Sequence, residues 1–264
     1  MGLMHHIKAR SARFYLLFAL VLFLGLAGIC NAQAKVNLTI SAAASLKDSL
    51  AEAEASYKQS HANVDFSNNF GSSGTLSAQI DQGAPVDVFL SAAAKPMDNL
   101  ALKSEIVPDT RHNLLRNTLV LIAPLDSTLR DFSGLVSNNV KMIALGDPAS
   151  VPVGQYGRQT LTSLHLLDRL NSKFVFAKDV RQVLTYVESG NADAGLVYAT
   201  DALTSSKVRV VATAPEGSHD AIVYPVAVVK GSHNEEAARA FVWYLSGPAA
   251  QAVFVRRGFS VAAQ

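Results

Sequence analysis

From Val36 onward, short β-branched runs alternate with helix-length stretches, and this alternation restricts the chain to an α/β architecture. Val36–Ile40 and Val64–Phe66 read as strands. The continuous apolar runs Val86–Leu90, Leu119–Ala123 and Met142–Leu145 suit strands buried on both faces. Ala194–Tyr198, Val208–Val211 and Ile222–Val229 complete the strand set. Helices are expected over Leu46–Gln59 (Leu46, Leu50, Ala53 and Tyr57 forming one stripe), Leu76–Gln82, Gly154–Leu167, Val180–Glu188, Glu235–Ser246 and Pro248–Arg256. With 49% hydrophobic and 17% charged residues, the chain can bury a large core. No low-complexity linker separates two halves, so two lobes would be joined by strands crossing between them. Leu119–Ala123 and Val223–Val229 are the candidate crossovers. The expected organisation is a discontinuous first lobe (35–118 and 226–264), a second lobe (119–225) and a cleft between them.

Residues 1–34 read as a separate signal. Lys8, Arg10 and Arg13 precede an apolar run from Phe14 to Cys30, and Ala32-Gln33-Ala34 supplies an A-x-A exit. Cleavage after Ala34 is expected. Ala27-Gly28-Ile29 makes a poor lipidation box before Cys30. Removing the segment takes away three bases, no acids and the chain's single cysteine, so the formal charge falls from +2 to −1. A near-neutral exported chain without cysteine suits a periplasm, and it lacks the basic patch that nucleic-acid binding needs.

Several strand-to-helix junctions are rich in donors. In open α/β sheets ligands sit beyond the strand carboxyl ends, facing helix N-termini. Ala42-Ala43-Ala44-Ser45-Leu46-Lys47-Asp48 leaves backbone accessible, although Ser45 with Asp48 also reads as a plain capping box. Gly71-Ser72-Ser73-Gly74-Thr75 carries three hydroxyls, and its glycines allow close approach. In Val151-Pro152-Val153-Gly154, Pro152 suits a first helical turn, leaving the amides of Val153 and Gly154 unpaired toward the cleft. Lys178-Asp179-Val180-Arg181 reads as a further helix start capped by Asp179. Helix N-termini carry about half a positive charge and free amides, so several converging junctions could seat an oxyanion without lysine or arginine.

At these residues the sequence resembles the periplasmic molybdate-binding proteins of ABC importers, of the type II periplasmic-binding-protein family. Ala42-Ala43-Ala44-Ser45-Leu46, Gly83-Ala84-Pro85-Val86-Asp87-Val88-Phe89, Gly146-Asp147-Pro148, Val151-Pro152-Val153-Gly154, Gly195-Leu196-Val197-Tyr198 and Tyr224-Pro225-Val226-Ala227-Val228-Val229 follow in the family's order. The resemblance implies two α/β lobes, each a mixed, mostly parallel sheet flanked by helices, with a two-strand hinge. It implies no enzyme activity and no cofactor, with molybdate or tungstate as the transported ligand. It also implies a monomer serving a membrane permease and its cytoplasmic ATPase. Molybdenum would be held only as its oxyanion, by the hydroxyls of Ser45, Ser73 (Ser72 beside it as the alternative) and Tyr198 and by the amides of Val153 and Val180. Two residues depart from the pattern: Val153 stands where the family usually has alanine, and Gly74 where serine is common. The valine could crowd the cleft, and the glycine lowers the hydroxyl count.

Molybdate and tungstate are unprotonated dianions that only accept hydrogen bonds, whereas hydrogen phosphate would also need an acceptor. Sulfate makes the same demands as molybdate and differs in size, so a sulfate binder is the closest alternative. A serine hydrolase using Ser45 or Ser73 with His165 is the rival of another class, but the chain has no G-x-S-x-G elbow. The remaining histidines beyond the signal segment, His61, His112, His219 and His233, are scattered, as surface or loop residues are. None of the expected contact groups titrates between about pH 6 and 8, so binding is expected to be nearly flat there.

Overall fold

The protein is described by a computed structural model over residues 34–262. The chain divides into two units, Met1–Ala34 and Lys35–Gln264. The expected signal segment, up to residue 33, lies outside the described residues.

The second unit holds two sheets. Strands β1 (Val36–Ala43), β2 (Val64–Gly71), β3 (Val88–Leu90), β4 (His112–Arg116), β10 (Val223–Val228) and β11 (Ser260–Val261) form the first, in the order β11-β4-β10-β3-β1-β2. Strands β5 (Leu119–Pro124), β6 (Ile143–Gly146), β7 (Phe174–Ala177), β8 (Ala194–Tyr198) and β9 (Val208–Thr213) form the second, in the order β7-β6-β8-β5-β9. Helices α1 (Lys47–Lys58), α2 (Ser73–Asp81), α3 (Ala94–Leu102), α8 (Glu235–Leu245) and α9 (Pro248–Arg256) belong with the first sheet. Helices α4 (Pro152–Ser163), α5 (Leu167–Leu170), α6 (Val180–Glu188) and α7 (Ala199–Ala202) belong with the second.

Both sheets are mixed for one reason. β1, β2 and β3 run parallel, as do β6, β7 and β8, and their carboxyl ends reach the cleft. A strand arriving from the other lobe enters its sheet at that same end and must run the opposite way. β5 starts with Leu119 opposite Tyr198, the last residue of β8, and β10 runs antiparallel to β3. The chain changes lobe at Asn117–Thr118 and in the loop 214–222. The expected crossover strands therefore do not themselves cross: Leu119–Pro124 pairs wholly within the second sheet and Val223–Val228 wholly within the first. The return to the first sheet accordingly falls before Val223, not after Pro225 as the sequence reading had it.

β3 is buried on both faces between β1 and β10, which is why Val86–Leu90 carries no polar alternation. Beside it, Asp87 accepts hydrogen bonds from Thr39 N–H at 2.7 Å and Ser232 Oγ at 2.5 Å, so this acid of the Val-Asp-Val segment ties the sheet together. The helix expected over Gly154–Leu167 instead ends at Ser163, and His165 turns the chain with a φ of 56°. Helix Ala94–Leu102 and strands His112–Arg116 and Phe174–Ala177 were not expected from the sequence.

One buried acid sets a measurable slope. Glu54 of α1 accepts a hydrogen bond from Asn68 Nδ2 at 2.9 Å, while its Oε1 has no partner. Burial pushes its carboxyl up to about 7. The folded state thus holds that proton more tightly than the unfolded chain, so this residue's contribution to stability falls as pH rises from about 4.5 to 7. Glu54→Gln should leave the melting temperature nearly unchanged at pH 5 and raise stability by about 1–3 kcal/mol at pH 8, read by thermal melting at both pH values.

Candidate functional site

A small cavity, with room for about 10 Å³, lies between the two sheets. Ala43, Ala44, Ser45, Gly71, Ser72, Ser73 and Ala92 line it from the first lobe, and Val151, Pro152, Val153, Val180 and Tyr198 from the second. All five residues singled out from the sequence, Ser45, Ser73, Val153, Val180 and Tyr198, thus meet at one point. None of the lining side chains is charged.

Ser45 sits in a 3₁₀ turn, Ala44–Leu46, that carries β1 into α1. Neither that turn nor α1 has a side-chain cap, so the capping-box reading of Ser45 and Asp48 does not hold. The Ser45 hydroxyl lies 2.9 Å from Tyr224 Oη, which itself accepts from Asn117 Nδ2 at 3.2 Å. Tyr224 can then donate to Ser45, leaving the serine proton for the cavity. Sequence reasoning missed Tyr224 and Asn117. Their signal was weak: Tyr224 entered only as part of a strand and of a family motif with no contact role, and Asn117 sits in the link between lobes.

Ser72 and Ser73 divide two tasks. Ser72 caps α2, accepting from Thr75 N–H at 3.2 Å and donating to Thr75 Oγ1 at 2.8 Å. Ser73, fully buried, accepts from Ala92 N–H at 2.8 Å, which directs its own proton away from that contact. Of the two serines, Ser72 thus has its hydroxyl proton engaged by Thr75, whereas Ser73 uses its oxygen as an acceptor.

The second lobe supplies helix starts. Val153 is the second residue of α4, after Pro152, and the amides of a first turn have no intrahelical acceptor. Gly154 is different: its N–H donates to Val151 O at 3.0 Å, so the expectation of two free amides holds for one at most. A Cβ on Gly154 would meet Gly146 O at 1.9 Å, so only glycine lets α4 start this close to the end of β6. One methyl of the branched Val153 side chain lies beside Gly146 of its own lobe. Val180 opens α6, where Asp179 accepts from Gln182 N–H at 2.9 Å and Gln182 Oε1 accepts from Lys178 N–H at 2.7 Å.

Tyr198 ends β8 with its ring edge-on to Tyr224, centroids 5.9 Å apart. It is 1% exposed, and its Oη has no hydrogen-bond partner among the described residues. Burial, reinforced by Tyr224, Tyr156 and Asp201, holds this phenol well above its ordinary range, so it stays a donor at any working pH. A buried, protonated, unpartnered hydroxyl costs stability unless something enters to accept from it. His165, the candidate base of a hydrolase, is exposed at the turn after α4 and does not line the cavity.

Charges stand just outside. Asp201 of α7 is fully buried, and Arg181 Nε lies 2.8 Å from its Oδ1 without hydrogen-bond alignment. The same guanidinium donates across the cleft to Asp48 Oδ2 at 2.6 Å and within its own lobe to Thr204 Oγ1 at 3.1 Å. Burial pushes the Asp201 carboxyl up to about 7 against the pull of Arg181. One ionisation beside the cavity thus falls near neutrality, which the expectation of a flat pH response did not include.

A family model described as bacterial extracellular solute-binding protein matches residues 38–260. The chain is 44% identical over 250 residues to YvgL of Bacillus subtilis (strain 168), provisionally named an ABC transporter substrate-binding lipoprotein, covering 92% of this chain and 95% of that one. It is 42% identical over 230 residues to the molybdate-binding protein ModA of Escherichia coli (strain K12), covering 85% and 89%. Among solved structures, the periplasmic molybdate-binding protein of Azotobacter vinelandii aligns with a TM-score of 0.78 at 27% identity, over 86% of this chain and 100% of that one.

The Arg181–Asp201 pair yields a test independent of any ligand. Arg181→Met leaves the buried carboxyl without its cation, which drives the Asp201 pKa higher still. Below about pH 6 the acid is protonated either way and the cost is small; above about pH 8 it approaches 3 kcal/mol. Melting should therefore drop by several degrees at pH 8.5 and little at pH 5.5, with the Arg181→Met, Asp201→Asn double variant recovering most of the loss.

Proposed function

We propose that the chain, which belongs to the bacterial extracellular solute-binding protein family, captures molybdate between its lobes and delivers it to the membrane permease of an ABC importer. Tungstate, alike in charge and shape, is taken by the same donors. The observation that carries this reading is the buried Tyr198 hydroxyl, without a partner among the described residues, on a residue that lines an uncharged cavity built by both lobes. Ser45, Ser73 and Tyr198 supply hydroxyl protons, and Val153 and Val180 supply first-turn amides.

The chemistry of these donors selects the ligand class. A buried dianion loses a large hydration energy, of order tens of kcal/mol in an idealised apolar medium. Hydrogen bonds to a charged group return about 1.5–3 kcal/mol each, so several must act together, and the helix termini of α4 and α6 add to them. The lining offers protons and no carboxylate, which suits an anion with no proton of its own and disfavours hydrogen phosphate. The relatives named for molybdate binding support the same ligand. Within this reading the chain works in the periplasm after cleavage following Ala34. Its partners are the permease with its cytoplasmic ATPase, and it acts as a monomeric receptor, not an enzyme.

Calorimetry on the exported protein with molybdate, tungstate, sulfate and phosphate tests the proposal. Molybdate and tungstate should bind with similar affinity and phosphate should give no heat. Sulfate bound as tightly as molybdate would overturn the assignment. Ser45→Ala and Tyr198→Phe should each weaken molybdate binding roughly 10- to 100-fold, the equivalent of about 1.5–3 kcal/mol. Tyr198→Phe carries a further signature: it removes a buried hydroxyl with no partner, so the ligand-free protein should melt at or above the wild-type temperature while binding falls.

A further inference from the structure

Tyr224 does not line the cavity, yet its phenol oxygen stands between Ser45, which does, and Asn117, where the chain passes from the first lobe to the second. Ser45 Oγ lies 2.9 Å away on one side and Asn117 Nδ2 3.2 Å on the other. The sense of this series is fixed from its far end. Thr118 N–H can only donate, and it donates to Asn117 Oδ1 at 2.9 Å, so the amide presents its nitrogen to its other neighbours. Nδ2 accordingly donates both to Thr200 Oγ1 of the second lobe, at 2.8 Å, and to Tyr224 Oη. Tyr224 is buried, and burial holds its phenol well above its ordinary range, so its proton stays in place. Among the described residues that proton has Ser45 Oγ as its acceptor, since the Tyr198 hydroxyl makes no hydrogen bond. The Tyr224 ring is fixed by edge-on contacts to Tyr198 and Phe259, with centroids 5.9 and 5.4 Å away.

We propose that Tyr224 is a positioning residue: it relays a hydrogen-bond direction set by Asn117 at the lobe crossing onto Ser45, so that the serine meets the anion as a donor. The inference rests on the anion-receptor reading above and extends it to two residues that do not line the site. A serine hydroxyl has one proton. If Ser45 gave that proton to Tyr224, it would turn a lone pair toward a dianion that only accepts. With Tyr224 donating, the serine proton is free for the cavity, and each bond in the series polarises the next. Without the phenol oxygen, Asn117 has nothing to direct and Ser45 loses the bond that both orients and strengthens its own donation.

The test is calorimetry with molybdate on the exported protein, comparing Tyr224→Phe with wild type and the Tyr224→Phe, Ser45→Ala double variant with Ser45→Ala. Phenylalanine keeps the ring and its edge-on contacts, and thermal melting of each protein without ligand checks that it folds. Tyr224→Phe should weaken binding roughly fivefold or more beside wild type and less than about twofold beside Ser45→Ala, because the phenol acts only through the serine's proton. A tyrosine that merely supported the fold would lower affinity equally in both backgrounds. A loss under about fivefold in the first comparison, or of about twofold or more in the second, would overturn the inference while leaving the receptor reading intact. Asn117→Ala, which leaves every ring in place, should repeat the pattern, and it decides the matter on the same limits if Tyr224→Phe does not fold. A wild-type protein that gives no heat with molybdate would overturn the receptor reading and this inference with it.

Discussion

Everything at this cleft depends on where a few hydroxyl protons are left pointing. A serine hydroxyl can give one hydrogen bond and accept others, and which of these faces the cavity is decided by its neighbours. Ala92 N–H occupies an acceptor site on Ser73, and Tyr224, itself held by Asn117, can do the same for Ser45. Tyr198 is left with neither acceptor nor donor among the described residues. The surrounding hydrogen bonds thus turn groups of mixed character into donors before any ligand arrives. Such preorganisation lowers the reorganisation that binding would otherwise require.

The same requirement explains why the site is divided between two lobes. The donors surround a point, and one sheet edge can present them from one side only. Each lobe therefore contributes the carboxyl end of its parallel strands, and the strands that return from the opposite lobe are forced to run antiparallel. The small residues Ala43, Ala44 and Gly71 let backbone approach from the first lobe. The Gly146–Gly154 contact brings the α4 terminus forward in the second. Orientation and donor count are separate properties of the cleft, and different residues bear on each.

Much of this was legible in the sequence because it is written locally. Val180–Glu188, Ala194–Tyr198 and Pro248–Arg256 have the limits their periodicity implies, since cap and breaker residues lie next to them. The five cavity residues were found because each sits at a strand-to-helix junction or strand end with a recognisable pattern. What was not legible arises from contacts distant along the chain. Ser45 meets Tyr224 across 179 positions, and Arg181 meets Asp48 across 133, with no local signal in either case. His112–Arg116 escaped because only Leu114 and Leu115 of its five residues are apolar and buried, so it forms no continuous apolar run of the kind that marks Ala194–Tyr198. The lobe boundary at Val223 was misjudged because an apolar run looks the same whichever sheet it joins.

The placement of charge completes the logic of a receptor that must release what it holds. A guanidinium pointed into the cavity would attract a dianion strongly, and in a low-dielectric setting that attraction would be hard to reverse. The chain does carry an arginine within reach, one residue after Val180, yet its guanidinium is turned toward Asp201 and Asp48. With two carboxylates against one cation, the cluster adds no positive field to the cleft while it ties α6 to α7 and to the opposite lobe. In the proposed reading, binding strength is left to dipoles that weaken quickly with distance. When the lobes part, a dipole's hold falls off faster than a charge's would, so opening alone can set the anion free.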